Sequence, residues 1–143
     1  MWFLLLIALL IVIAGMISKR WEIILLIGYT LIIFGETILF RTVNTEKLYQ
    51  LAPFWSWKIP ELRAQIIANI VLFIPFGIIG ARTIGWRIIP VATGLSLMVE
   101  TIQLIGQRGL FEFDDVIHNT FGAAVGCITY LLIQAIWRRS HDF

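Results

Sequence analysis

Several polar side chains interrupt apolar runs of this chain, and their types suit binding or proton transfer. They are Glu36, Asn69, Glu100, Gln103, His118 and Asn119, with Asp114 and Asp115 just ahead of the last two. A charge at the centre of a bilayer costs about 2.5–3.5 kcal/mol on insertion scales, so such groups rarely occur there without a partner or a purpose. A carboxylate such as Glu100 or Asp115 can serve as a general base, with His118 as a proton shuttle. The same groups can hold the sugar or amide part of a ligand, while Arg63 and Arg108 hold phosphate through their planar donor forks. Asp-Asp-x-x-His is not a metal-ligand signature, and Cys127 is the one cysteine, so neither a metal nor a disulfide is expected. No cofactor motif is present. A phosphate-cradling glycine loop and a nucleophile elbow are both missing.

Spacing gathers these residues into stripes. Ser96, Glu100, Gln103 and Gln107 follow one another at intervals of 4, 3 and 4, one face of a helix. Asp115, His118, Asn119, Gly122 and Gly126 form a second stripe, and Asn69, Phe73, Phe76 and Gly80 a third. Gly122 and Gly126 make a small-xxx-small pair that lets another helix come close, and Pro75 interrupts its helix with a possible kink. The stripes are expected to face one another around a polar pocket floored by Phe and Gly. Each residue also has a plainer role open to it. Asp114 can cap a helix, Glu100 can pair with Arg108, and Asn119 can bridge two helices.

The elements that carry these stripes are apolar helices. The chain has 143 residues, of which 59% are hydrophobic and 14% charged, with a mean hydropathy of +0.91. Soluble domains carry about 25% charged residues, so the excess apolar surface here is expected to face lipid. A spanning helix needs about 20 apolar residues. Five candidate spans follow: Trp2–Ile17, Ile23–Phe40, Ile66–Gly85, Ile88–Ile105 and Val116–Trp137. The runs are continuous rather than alternating, which excludes a β-barrel. The expected fold is therefore all-α, an integral membrane bundle of about five transmembrane helices forming a single domain over 1–143. No basic residue precedes the first run and no A-x-A site follows it, so a retained helix is expected rather than a signal peptide. The net charge of +2 does not suggest nucleic acid.

Direction is read from Lys and Arg, which favour cytoplasmic loops. Lys19 and Arg20, Arg82 and Arg87, and Arg138 and Arg139 share one side; Arg41, Lys47, Lys58, Arg63 and Arg108 share the other. The near balance is tipped by the tight pairs flanking spans, which predict an outer N-terminus and a cytoplasmic C-terminus. Spans two and four then end, and spans three and five begin, in the outer leaflet. All the polar groups named above fall at that depth. The long segment 41–65 carries Tyr49, Phe54, Trp55 and Trp57, suited to anchoring at the lipid–water interface or to covering a groove. Pro60 followed by Glu61 marks a helix start there.

Asn69-x-x-x-Phe73-x-Pro75-Phe76-Gly77 resembles a motif of the VanZ-like family. So do Glu100-x-x-Gln103 followed by Arg108, and Asp115-x-x-x-Asn119-x-x-Gly122-x-x-x-Gly126. Leu51-Ala52-Pro53-Phe54 resembles the segment ahead of span three in that family. The likeness covers about residues 30–137. It implies a VanZ-like protein of the bacterial cytoplasmic membrane, from a family whose namesake is associated with teicoplanin resistance. Three functions remain open. The first is a cell-envelope protein that binds membrane lipids, a lipid-linked wall precursor or the glycopeptide itself. The second is a membrane transferase or hydrolase using Glu100, Asp115 or His118. The third is a small lipid transporter, for which five spans leave little room.

Overall fold

The computed structural model describes residues 21–39 and 49–141. Among these the fold is all-α, apart from one short pair of strands. The helices are α1 (Glu22–Phe34), α2 (Arg63–Ile84), α3 (Ile88–Ile105) and α4 (Phe113–His141). The strands β1 (Tyr49–Gln50) and β2 (Phe111–Glu112) pair in parallel, Tyr49 opposite Phe111 and Gln50 opposite Glu112. The first candidate span, Trp2–Ile17, lies outside the described residues, as does Arg41. Two helical stretches are long and apolar enough to cross a membrane. One is Phe113–Ser140; the other is Pro60–Ile105, which holds α2 and α3 with the turn between them.

Local chemistry sets the helix ends. A 3-10 turn at Pro60–Leu62 leads into α2, with proline where its missing N–H costs nothing and Glu61 against the positive helix end. The helix then runs through Pro75 to Ile84. Gly85, at φ +64°, reverses the chain in a conformation that disfavours other residues. A 3-10 turn at Gly85–Arg87 opens α3, whose bounds match the expected span. The fifth span is longer than expected at both ends, starting at Phe113 so that Asp114 and Asp115 occupy the first turn. At the end of α1 the helix widens into a π turn, Gly35–Leu39. There Thr37 donates back to the Ile33 carbonyl at 2.7 Å, a bond that loosens and bends a helix.

Bonds between helices fix their directions. Tyr29 donates to the Leu72 carbonyl at 2.8 Å, and Glu22 meets Arg82 at 3.0 Å, so α1 and α2 run antiparallel. Asn119 reaches Ser96 and Thr120 reaches Thr93, so α3 and α4 run antiparallel. Gly122 lies against Ile70, and Gly126 against Ile74 and Ile78, which makes α2 and α4 parallel. A Cβ on either glycine would fall on an α2 carbonyl oxygen. These glycines therefore admit the backbone of α2 rather than flooring a pocket. Gly77 admits the backbone of Ala123 in the same way. The core fills with Tyr29, Ile33, Phe73, Phe76, Ile88 and Val99. Outward, α1 shows Ile23, Ile27 and Leu31, and α4 shows Phe121, Ile128, Leu132 and Ile136. So large an apolar exterior suits hydrocarbon better than water.

Two ends result. One holds the C-termini of α1 and α3, the N-termini of α2 and α4, and both strands. The other holds the Gly85 turn and the Glu22–Arg82 pair.

Candidate functional site

At the strand-bearing end, polar side chains are packed away from solvent. Ser96, Glu100, Gln103, Asp114, Asp115, His118 and Asn119 are all buried. The α3 stripe distributes itself over three neighbours. Asn119 donates to Ser96 Oγ at 2.8 Å, the Glu112 N–H donates to Glu100 at 3.0 Å, and Gln103 donates to the Thr37 carbonyl at 2.8 Å. Arg108, in the turn after α3, donates to the Ile38 carbonyl at 3.4 Å. The stripe expected to face a pocket thus ties α3 to α4, to β2 and to the π turn of α1.

Asp114 acts differently from a helix cap. It accepts the N–H of Phe54, the N–H of Ser56 at 2.9 Å and the Ser56 hydroxyl at 2.6 Å. These bonds latch the 54–58 segment onto the start of α4. Phe54 takes a left-handed φ of +59° within that latch, uncommon for a bulky residue. Trp57 adds a second tie, donating its indole N–H to His118 Nε2 at 2.8 Å. With Nε2 accepting, a neutral imidazole carries its proton on Nδ1. Trp57 and Ser56 were not among the expected site residues. Trp57 resembled a membrane anchor in sequence, and its ring is indeed exposed, yet its N–H reaches a buried histidine. The signal available was a long loop with aromatics that must pack somewhere near the acid pair.

Several buried atoms at this end find no partner in the described structure. They are His118 Nδ1, Asn119 Oδ1, Asn69 Nδ2 and Trp55 Nε1. Each such atom costs about 1–3 kcal/mol if left unbonded. His118 and Asn119 are adjacent on α4. Asn69 precedes Ile70, whose carbonyl abuts Gly122 less than a full turn beyond Asn119. Other expected residues lie apart. Arg63 is exposed at the start of α2, and Glu36 is half-buried in the π turn. Among the described residues no group of three or more His, Cys, Asp or Glu side chains could hold a metal ion.

Polarity was also not confined to this end. Glu22 and Arg82, with side chains 11% exposed each, form an ion pair at the opposite end. An acid at the start of one helix and a base at the end of its antiparallel neighbour is the arrangement such a pair needs. An apolar groove of about 460 Å³ lies on another face, between α3 and α4, away from the polar cluster.

Two helical stretches long and apolar enough to cross a membrane, with apolar side chains facing outward, point to the class of helical membrane proteins. A family model confirms the particular group: residues 1–134 match VanZ/LLP1, and the chain belongs to that family. No curated protein and no solved structure matches.

Proposed function

We propose that this is a five-span protein of the bacterial cytoplasmic membrane whose polar end binds a lipid headgroup or a lipid-linked wall precursor. Its strand-bearing end sits in the outer leaflet. Arg82 and Arg87, with Arg138 and Arg139, face the cytoplasm beside the C-terminus. Through that binding it modulates susceptibility to glycopeptides such as teicoplanin, whose acyl chain also acts at the membrane surface.

One observation carries the reading. His118 Nδ1, Asn119 Oδ1 and Asn69 Nδ2 are buried and unmatched, beside Ser96, Glu100 and Asp114, which make their bonds within the fold. A bound headgroup would supply the missing bonds. Glu100, Gln103, Asp114 and Asp115 then frame the site, and Arg108 supplies positive charge for phosphate. Arg63, exposed at the edge, adds a second cation. No observation favours turnover or transport over binding: the Ser56 hydroxyl donates to Asp114, and His118 Nε2 is taken by Trp57.

The direct test places the full chain in nanodiscs and measures retention of phosphatidylglycerol against phosphatidylcholine. Arg108→Ala, Asp115→Ala and Asn119→Leu should each reduce the preference for the anionic lipid. Wild-type preference in all three variants rejects the reading. Teicoplanin and vancomycin susceptibility of cells carrying the same variants tests the phenotype separately. Labelling of single cysteines from either side tests the orientation.

A further inference from the structure

Three open hydrogen-bonding demands gather where α2, α3 and α4 meet. Asn119 donates its amide to Ser96 Oγ at 2.8 Å, while its Oδ1 is buried and receives no donor. Ser96 accepts in that bond, and among the described residues its own hydroxyl proton goes to no acceptor. The threonines of the bundle behave differently: Thr30, Thr93 and Thr101 each donate to the carbonyl four residues back. On α2, Asn69 Nδ2 is buried without an acceptor. Exchanging O and N of the Asn119 amide does not remove the demand. Ser96 would then donate to Oδ1 and leave Nδ2 unmatched instead.

Helix packing brings Asn69 to the same place. Gly80, about three turns further along α2 on the same face, meets Ile88 at the start of α3. These two helices run antiparallel, so equal rises from that contact bring Asn69 level with Val99, one turn from Ser96. On α4, Asn119 stands one turn before Gly122, which lies against the Ile70 carbonyl of α2. Asn69 and Asn119 therefore reach the Ser96–Val99 stretch of α3 from two sides. Phe73, Ser96, Val99 and Asn119 are at most 3% exposed, so any guest between them is small.

The demands are of mixed sign, two donors and one acceptor. A phosphate oxygen only accepts, and an ammonium only donates. A hydroxyl does both, and its one proton and two lone pairs match this set. The polar stripe of α3 leads to the spot, since Glu100 and Gln103 follow Ser96 toward the strand-bearing end. Asn119 lies about 9 Å from the start of α4, at 1.5 Å per residue.

We propose that Asn69, Ser96 and Asn119 form a binding site for one uncharged hydroxyl group, supplied by a lipid polyol headgroup or by water. This deepens the headgroup reading and rests on it only for the first of these sources. With that source, anionic lipids of equal charge are told apart by their hydroxyls, while Arg108 serves them alike.

The experiment uses the full chain in phosphatidylcholine nanodiscs, to which phosphatidylglycerol or phosphatidylethanol is added. These two lipids carry the same charge, and only the first has headgroup hydroxyls. Native mass spectrometry reads the retained lipid. Water-edited solid-state NMR reads transfer from water to the side-chain amides of Asn69 and Asn119. A headgroup hydroxyl should favour phosphatidylglycerol over phosphatidylethanol about tenfold, the effect of two neutral hydrogen bonds. Water should instead leave the two lipids equal and give strong transfer to both amides. Either signal should vanish in Asn119→Leu, and in Ser96→Ala, the milder change should the first fail to fold. Thr101→Ala, exposed on α3, should alter neither. Equal lipids together with dry amides overturn the proposal, as does either signal surviving in both variants. The headgroup reading fails separately. If phosphatidylglycerol is held no better than phosphatidylcholine while the amides stay wet, that reading falls and the hydroxyl site stands.

Discussion

The two ends of the bundle bury charge in opposite ways. At the Gly85 end, Glu22 and Arg82 meet directly at 3.0 Å. Each charge is answered by its opposite in one contact. At the strand-bearing end, carboxylates and amides are answered by backbone and loop groups. Asp114 takes the N–H groups of Phe54 and Ser56, Glu100 takes the N–H of Glu112, and Gln103 gives to the Thr37 carbonyl. There His118 and Asn119 keep one atom each unmatched. The contrast separates two uses of buried polarity. A closed pair holds helices in place and offers nothing further, whereas a network with spare atoms can receive a ligand.

The contrast can be broken first where the two ends are joined. Gly126→Leu drives a side chain into the Ile74 carbonyl and Ile78 N–H of α2. Overpacking against backbone should cost about 3 kcal/mol or more, and no monodisperse protein should emerge from size-exclusion chromatography. Full recovery would mean that α2 and α4 do not pack through their glycines. Next in size is the closed pair. Arg82→Leu strands the Glu22 carboxylate and should lower stability by about 3 kcal/mol, read by thermal denaturation in detergent. The double variant Arg82→Leu with Glu22→Leu should recover most of that loss, and lipid retention should stay unchanged in both.

At the open end the expected effects are smaller but reach function. Asp114→Ala removes the acceptor for three donors and should cost about 2 kcal/mol. Proteolysis within residues 51–60 should speed up, and lipid preference should fall with it. Unchanged proteolysis would show that the loop has another hold. Smallest is Trp57→Phe, worth about 1 kcal/mol. It frees His118 Nε2, so nitrogen NMR of the imidazole should report a shift away from the Nδ1–H tautomer. An unshifted spectrum would put that proton under other control.

Helix existence was readable from the sequence, because apolar runs and their punctuation are local. Ile88–Ile105 needed only its own residues to be placed. That Glu100, Gln103, Asp115 and Asn119 lie at one end of the bundle was readable too, from the alternating directions of successive helices. What each stripe touches was not. Gly122 and Gly126 announced a close helix without saying that it would be the Ile70–Ile78 backbone of α2. Asp114 looked like a cap because the alternative, a loop about sixty residues earlier, leaves no periodic trace. Trp57 shows the limit most plainly, since an interfacial ring and a histidine partner call for the same residue. The ion pair of Glu22 and Arg82 leaves no local trace either, because its partners stand on different helices and meet only once α1 and α2 pack antiparallel.

The strand pair is small, but it stitches distant stretches of chain. Tyr49 and Gln50 lie beside Phe111 and Glu112. Glu112 is in turn held by Glu100 of α3, and the segment after Gln50 is pinned by Asp114. The described connections at this end, residues 49–62 and 106–112, are therefore riveted into a single plate rather than hanging as separate loops. A push on the aromatic rim near Phe54 must travel through that plate to the last turns of α3.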